Sequence, residues 1–240
     1  MENYLEKNYE KNMQMLSDAV KYCEENFLHE DIINILYTDD DLKKQLCLIE
    51  LSKVNSQKEA DILVFNLTGH SGPVRETASY KILDLIQKKE YNSYFQTEKI
   101  RETFVKAIVD INPSVSRNAV EIIKYVDNAE FLYEEIIKEI NKTLESLDDI
   151  KQNRSYIANK KNFNLYWNLE ALISLSNRIN AGNELIEILQ KTALSNDYTI
   201  REKTAKAAVE FVKTNKNFNV VIEKLKDDEN VYVKKHLSNL

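Results

Sequence analysis

At 240 residues and 43% hydrophobic content, the chain is too long for a small disulfide-stapled scaffold and too apolar for disorder. Its 33 basic and 39 acidic residues, a formal charge of −6, exclude a surface built throughout for nucleic-acid phosphates, while leaving room for a local basic face. Only three Gly and two Pro interrupt a sequence rich in helix-tolerant residues, so the composition predicts an all-α protein.

In chain order, the start Met1-Glu2-Asn3-Tyr4-Leu5-Glu6-Lys7 lacks the basic and apolar regions of a signal peptide. No run approaches the roughly 18 apolar residues of a membrane span, so a cytoplasmic protein without membrane contact is expected. Cys23 and Cys47 stand outside any CxxC pattern and are expected to be buried thiols in a reducing compartment.

A phrase then recurs: a turn residue, an aliphatic anchor, and small or apolar residues every four positions. Leu42 heads the first copy, with Leu46, Leu48, Ile49 and Leu51 filling its stripe. Ser71-Gly72-Pro73 opens the clearest one, with Val74, Ala78, Ile82 and Ile86 on one helix face. Later copies read Val115, Ala119, Ile123; Trp167, Ala171, Leu175; Ile200, Thr204, Ala208, Val212; and Val233, Leu237. The anchors lie 32, 41, 52, 33 and 33 residues apart, values that scatter around the period of two-helix solenoid repeats.

Turn chemistry supports this phase. Asp39 to Asp41, Ser71 to Pro73, Asn112 to Ser114, Asp197 and Asp227-Asp228 each precede an anchor, where such side chains cap free amides. First helices of the pairs are expected over Asn55 to Leu67, Gln96 to Ile111, Leu185 to Leu194 and Asn219 to Leu225. In the second of these, Ile100, Phe104, Ile108 and Ile111 mark the stripe. Phe131 to Leu147 forms a further periodic segment, with Leu132, Ile136, Ile137, Ile140 and Leu144 on one side. The polar stretch Lys151 to Asn164 reads as a loop. The expected architecture is a single all-α domain over 1–240, an α-solenoid of about six degenerate helix pairs with an irregular joint around 148–165. The last copy stops at Leu240 about one turn into its helix, which suggests either truncation or a disordered end.

Pro73-Val74-Arg75 with Ala78 and Ile82-Leu83, and Ile200-Arg201 with Ala207-Ala208, resemble HEAT-type repeats over roughly residues 35–240. That resemblance implies a solenoid offering a binding surface. It also places Arg75 and Arg201 where such arrays tie one repeat to the next; Ser116 stands there in another copy, with Arg117 following. A narrower stretch, Leu225-Lys226-Asp227-Asp228-Glu229-Asn230-Val231-Tyr232-Val233-Lys234-Lys235-His236-Leu237-Ser238-Asn239-Leu240, is similar to a repeat of the HEAT-like DNA alkylation-repair glycosylases. This second resemblance implies duplex DNA on a basic concave face beside an acidic residue and aromatics. Here Tyr166-Trp167-Asn168-Leu169-Glu170 lacks the expected aspartate and offers Glu170 as the catalytic acid instead.

The chemistry-bearing residues are few. His29, His70 and His236 are separated by whole repeats and lack partners at metal-ligand spacing, so no metal is expected. Acidic pairs such as Glu24-Glu25, Glu134-Glu135 and Asp148-Asp149 read as caps and polar faces. There is no Gly-rich phosphate loop, no GxSxG and no Walker sequence, so neither a cofactor nor a conventional active site is expected. Lys151, Arg154, Lys160 and Lys161 interleave with Tyr156, Phe163, Tyr166 and Trp167. A nucleic acid or an acidic peptide would use that pattern; a solvated loop with its aromatics folded onto the core would also produce it. Lys203, Lys206, Lys213, Lys234 and Lys235 form a second basic set alongside Arg201. The leading reading is a non-enzymatic scaffold that binds a protein partner through Arg75, Tyr80, Arg117, Trp167 and Arg201, joined by Arg154, Lys160, Lys161 and Tyr166. The alternative is a DNA-binding protein of the glycosylase type, active or inactive, with duplex DNA as partner and Glu170 as its acid.

Overall fold

Side-chain caps decide where the helices begin. A computed structural model describes residues 2–24, 28–37, 40–148 and 155–238, and all regular structure among them is helical. Asp40 accepts from the amides of Leu42 and Lys43, Asn112 from Ser114, Asp197 from Thr199 and Asn230 from Tyr232. Each bond satisfies an amide that the helix itself leaves without an acceptor. Ser71 makes no such bond; there Pro73 occupies the first turn and removes the need for one amide partner.

The chain divides into two compact units, residues 1–103 and 104–240. The first holds α1 (Glu2–Glu24), α2 (His29–Tyr37), α3 (Asp41–Glu50), α4 (Gln57–Phe65), α5 (Gly72–Ile86) and α6 (Lys89–Asn92). The division falls inside α7 (Glu98–Ile108). The second holds α8 (Pro113–Ile122), α9 (Ala129–Asp148), α10 (Ser155–Leu175), α11 (Asn183–Thr192), α12 (Tyr198–Phe211), α13 (Asn219–Leu225) and α14 (Val231–Leu237). From α2 onward, six consecutive pairs follow one another: α2/α3, α4/α5, α7/α8, α9/α10, α11/α12 and α13/α14. Each recurrent anchor lies in a second helix, and the chain is an all-α solenoid of helical repeats.

Within each unit the second helices stack on one another, α3 on α5 in the first and α8, α10, α12 and α14 in succession in the second. The predicted stripes supply that contact. Val74, Ala78, Ile82 and Ile86 are buried, as are Val115, Ala119 and Ile123, and Ile200, Thr204, Ala208 and Val212. Covering a large aliphatic side chain in this way contributes about 1.5–3 kcal/mol, so a short helix is held by its neighbours rather than by propensity.

Four expectations need correction. Leu42 and Leu46 are only half-buried, and Cys47, Leu48 and Leu51 turn inward instead, so the first copy is rotated relative to the others. Ile111 is 74% exposed because α7 stops at Ile108 and the stripe ends with it. The stretch read as a loop is helical from Ser155, the start of the 21-residue α10. Its polarity misled because Leu165, Leu169, Ala171, Leu172 and Leu175, further along the same helix, provide the buried face. Trp167 therefore is not the anchor of its helix: it is half-buried, and Leu165 and Leu169 pack inside. Cys47 is a buried free thiol; the side chain of Cys23 lies outside the described residues.

Candidate functional site

Because α10 packs against both α8 and α12, residues on one side of it meet the next repeat. Glu170 projects to α12 and takes a lysine on each oxygen, Lys203 Nζ at 2.7 Å and Lys206 Nζ at 2.7 Å. The three-residue spacing of the lysines puts both on one face of α12. Lys203 also sits 4.5 Å from the centre of the Tyr166 ring, a cation–π contact. Burial alone would raise the Glu170 carboxyl, but the hydrogen bonds and charges of the two lysines outweigh it and hold the group below the usual carboxylate range. Burial likewise depresses Lys203, and Glu170 and Tyr166 more than restore it, so this ammonium titrates above its ordinary value. A general acid at neutral pH needs a raised carboxyl. Glu170 is tuned in the opposite direction and serves as an ionic bridge between repeats.

One turn before Glu170, the aromatic side chains of α10 form walls. Phe163 and Trp167 meet edge to face with centroids 6.2 Å apart and planes at 70°, and Tyr166 and Trp167 do so at 5.3 Å and 84°. They border an open cavity of about 350 Å³ that Asp197 and Thr199, at the start of α12, also line. Asp197 is fully engaged: Oδ1 accepts from the Thr199 amide at 2.9 Å and its hydroxyl at 2.7 Å, and Oδ2 accepts from Asn162 Nδ2 at 3.0 Å. A second cavity of about 340 Å³ adjoins the first through Asn159 and Phe163, with Val109, Ile111, Asn164 and Lys160 completing it. Lys160 is exposed and Lys161 half-buried.

The other candidate residues are dispersed. Tyr80 is 58% exposed in the first unit, and Arg117 is exposed on α8. Arg75 folds back onto the carbonyls of Gly69 and His70 at 2.9 and 3.1 Å. Arg201 does the same to Ser195 and Asn196, and also reaches the next repeat, where Nε lies 2.6 Å from Asp228. Lys151 and Arg154 lie outside the described residues. Of the second basic set, Lys203 and Lys206 are held by Glu170, and Lys213 pairs with Glu210 at 2.5 Å. Among the described residues no cluster of three or more His, Cys, Asp or Glu side chains is placed to hold a metal ion, and no helix is long and apolar enough to cross a membrane.

Sequence reasoning missed three connections. Arg178 clasps the end of the α8 region, donating to the carbonyls of Ile123, Lys124, Val126 and Asp127. Tyr198 and Tyr232 stack across adjacent second helices with centroids 6.4 Å apart, and both are substantially exposed. The third is the Glu170 bridge, and its signal was present: Glu170 and Lys203 are 33 residues apart, one repeat, so opposite charges occupy equivalent positions in neighbours.

No family model matches the chain, and no curated protein does either. Solved structures do. An engineered protein from a structural genomics consortium is similar at a TM-score of 0.50 with 13% identity, over 88% of this chain and 95% of that one. A designed armadillo repeat protein is similar at 0.49 and 16% identity, over 87% of this chain and 96% of that one. At this level of identity, the likeness at 0.50 speaks to the fold alone.

Proposed function

We propose that this chain is a non-enzymatic helical-repeat scaffold that binds a protein partner on the second helices of its second unit, centred on α10. The observation carrying this reading is the array of Phe163, Tyr166 and Trp167 beside two open cavities, next to charged groups that are already committed to one another. Aromatic side chains with a large apolar body and few rotatable bonds are the residue types that anchor protein interfaces. The exposed Tyr198 and Tyr232 stack extends the aromatic character to α12 and α14. Duplex DNA gains no comparable support, since Lys203, Lys206 and Lys213 are engaged by carboxylates that a phosphate backbone would have to displace.

Site-directed photo-cross-linking tests the reading. A benzoylphenylalanine at Phe163 or Tyr198 should capture a discrete protein in native lysate, and the same probe at exposed Lys142 on α9 should not. Equal capture from both positions, or none from either, would overturn it.

A further inference from the structure

We propose that the cavity formed by Val109, Ile111, Asn159, Lys160, Phe163 and Asn164 receives an apolar side chain from an acidic segment of the protein partner; this rests on the scaffold reading above and names the partner's chemistry. The argument is one of charge complementarity. From Ser155 to Leu169, α10 carries no Asp or Glu, yet it carries Lys160 and Lys161 in a chain whose net charge is −6. Neither lysine has an ion-pair partner among the described residues, unlike Lys203, Lys206 and Lys213 on α12 and the residues after it. The Lys160 ammonium, without an ion-pair partner among the described residues, therefore borders an opening whose lining holds no carboxylate, and Lys161 follows it on the same helix.

The opening is apolar inside. Ile111 is 74% exposed just beyond the end of α7, and Phe163 forms the wall shared with the next cavity. A volume of about 340 Å³ accommodates one or two side chains of Leu, Ile or Phe size. Lysines at the rim of an apolar pocket select a carboxylate beside the inserted group and steer its approach. The single carboxylate in the adjoining cavity, Asp197, is committed to three donors, so the acidic residues of the partner belong at the Lys160 end. Nucleic acid fits less well, because Lys160 and Lys161 supply few phosphate contacts.

The test uses the full chain. A displayed library of degenerate nonapeptides is selected on the protein and counter-selected on a Lys160→Glu/Lys161→Glu variant. These positions are not in the buried core, and circular dichroism verifies that the variant is folded. The expected result is enrichment of Leu, Ile or Phe adjoining Asp or Glu. Trp167, the only tryptophan, meets the Phe163 wall edge to face and reports occupancy through it: the enriched peptide should shift its emission, and the double variant should weaken the response roughly tenfold or more. Enrichment of basic sequences, no enrichment, or equal affinity for the variant would overturn the assignment. So would a short DNA duplex that shifts Trp167 emission with a steep salt dependence. Cross-linking at Phe163 that persists in the double variant would remove the acidic partner while leaving the scaffold reading intact.

Discussion

At the fourth residue after the helix cap, Arg75, Ser116 and Arg201 each donate to the carbonyl two positions before that cap, on Gly69, Asp110 and Ser195 respectively. A serine and two arginines thus satisfy the same acceptor, which is why Ser116 interrupts the sequence pattern without interrupting the fold. Arg201 also reaches Asp228, whose side chain is 6% exposed. Glu170 shows the same economy with charge. Replacing Glu170 with Gln leaves Lys203 buried without a counter-ion and should cost about 2–4 kcal/mol in urea denaturation at neutral pH. The sign of its pH dependence follows from both shifts. The lowered Glu170 carboxyl contributes stability above the ordinary glutamate range and loses it as pH falls through the folded value. The raised Lys203 ammonium contributes below the ordinary lysine value and loses it as pH rises through the folded one. The variant should therefore lose part of the acid limb of the stability profile; an unchanged profile would refute the bridge.

Among the elements, α10 carries the most conflict between sequence and position. Its first half is polar because it borders open cavities, and its second half is apolar because it packs on α8, α9 and α12. Asn168 breaks that division. It is 1% exposed, and among the described residues neither its amide nitrogen nor its oxygen has a hydrogen-bond partner. An unsatisfied buried amide costs about 1–3 kcal/mol, and Leu has the same branched shape with the same number of side-chain heavy atoms and no polar group. Asn168→Leu should raise the thermal midpoint by several degrees, equivalent to about 1–2 kcal/mol. A lower midpoint in calorimetry would mean that the amide is held by an interaction of its own.

For the molecule as a whole, the polar ties have a characteristic reach. Asn66 to the Leu36 carbonyl spans 30 residues, Lys81 to Ile49 32, Lys203 to Glu170 33, Lys224 to Gln190 34 and His236 to Glu202 34. Each connects one repeat to its neighbour, as expected when stability is a sum of repeat and nearest-neighbour terms. Core truncations in different units should therefore act independently. Leu48→Ala in α3 and Leu169→Ala in α10 each remove a fully buried side chain and should cost about 2–5 kcal/mol. Their combined effect should equal the sum within about 0.5 kcal/mol. A larger coupling in a double-mutant cycle would show communication beyond adjacent repeats.

The sequence by itself determined the helical class, the number of pairs and most of the inward stripes, because a buried helix face must repeat every three to four residues and cap residues mark its start. It misplaced the rotation of the first copy, since Leu42, Leu46, Leu48 and Ile49 spread apolar groups around the helix and the neighbouring α1, α2 and α5 select the buried side. It also misread Lys151 to Asn164, where a polar helix surface and a polar loop have the same composition. The surroundings of Glu170 took the tertiary structure to see: opposite charges stand one repeat apart in the sequence, but only the packing of α12 on α10 brings Lys203 and Lys206 within hydrogen-bonding distance of its carboxylate and lowers its pKa.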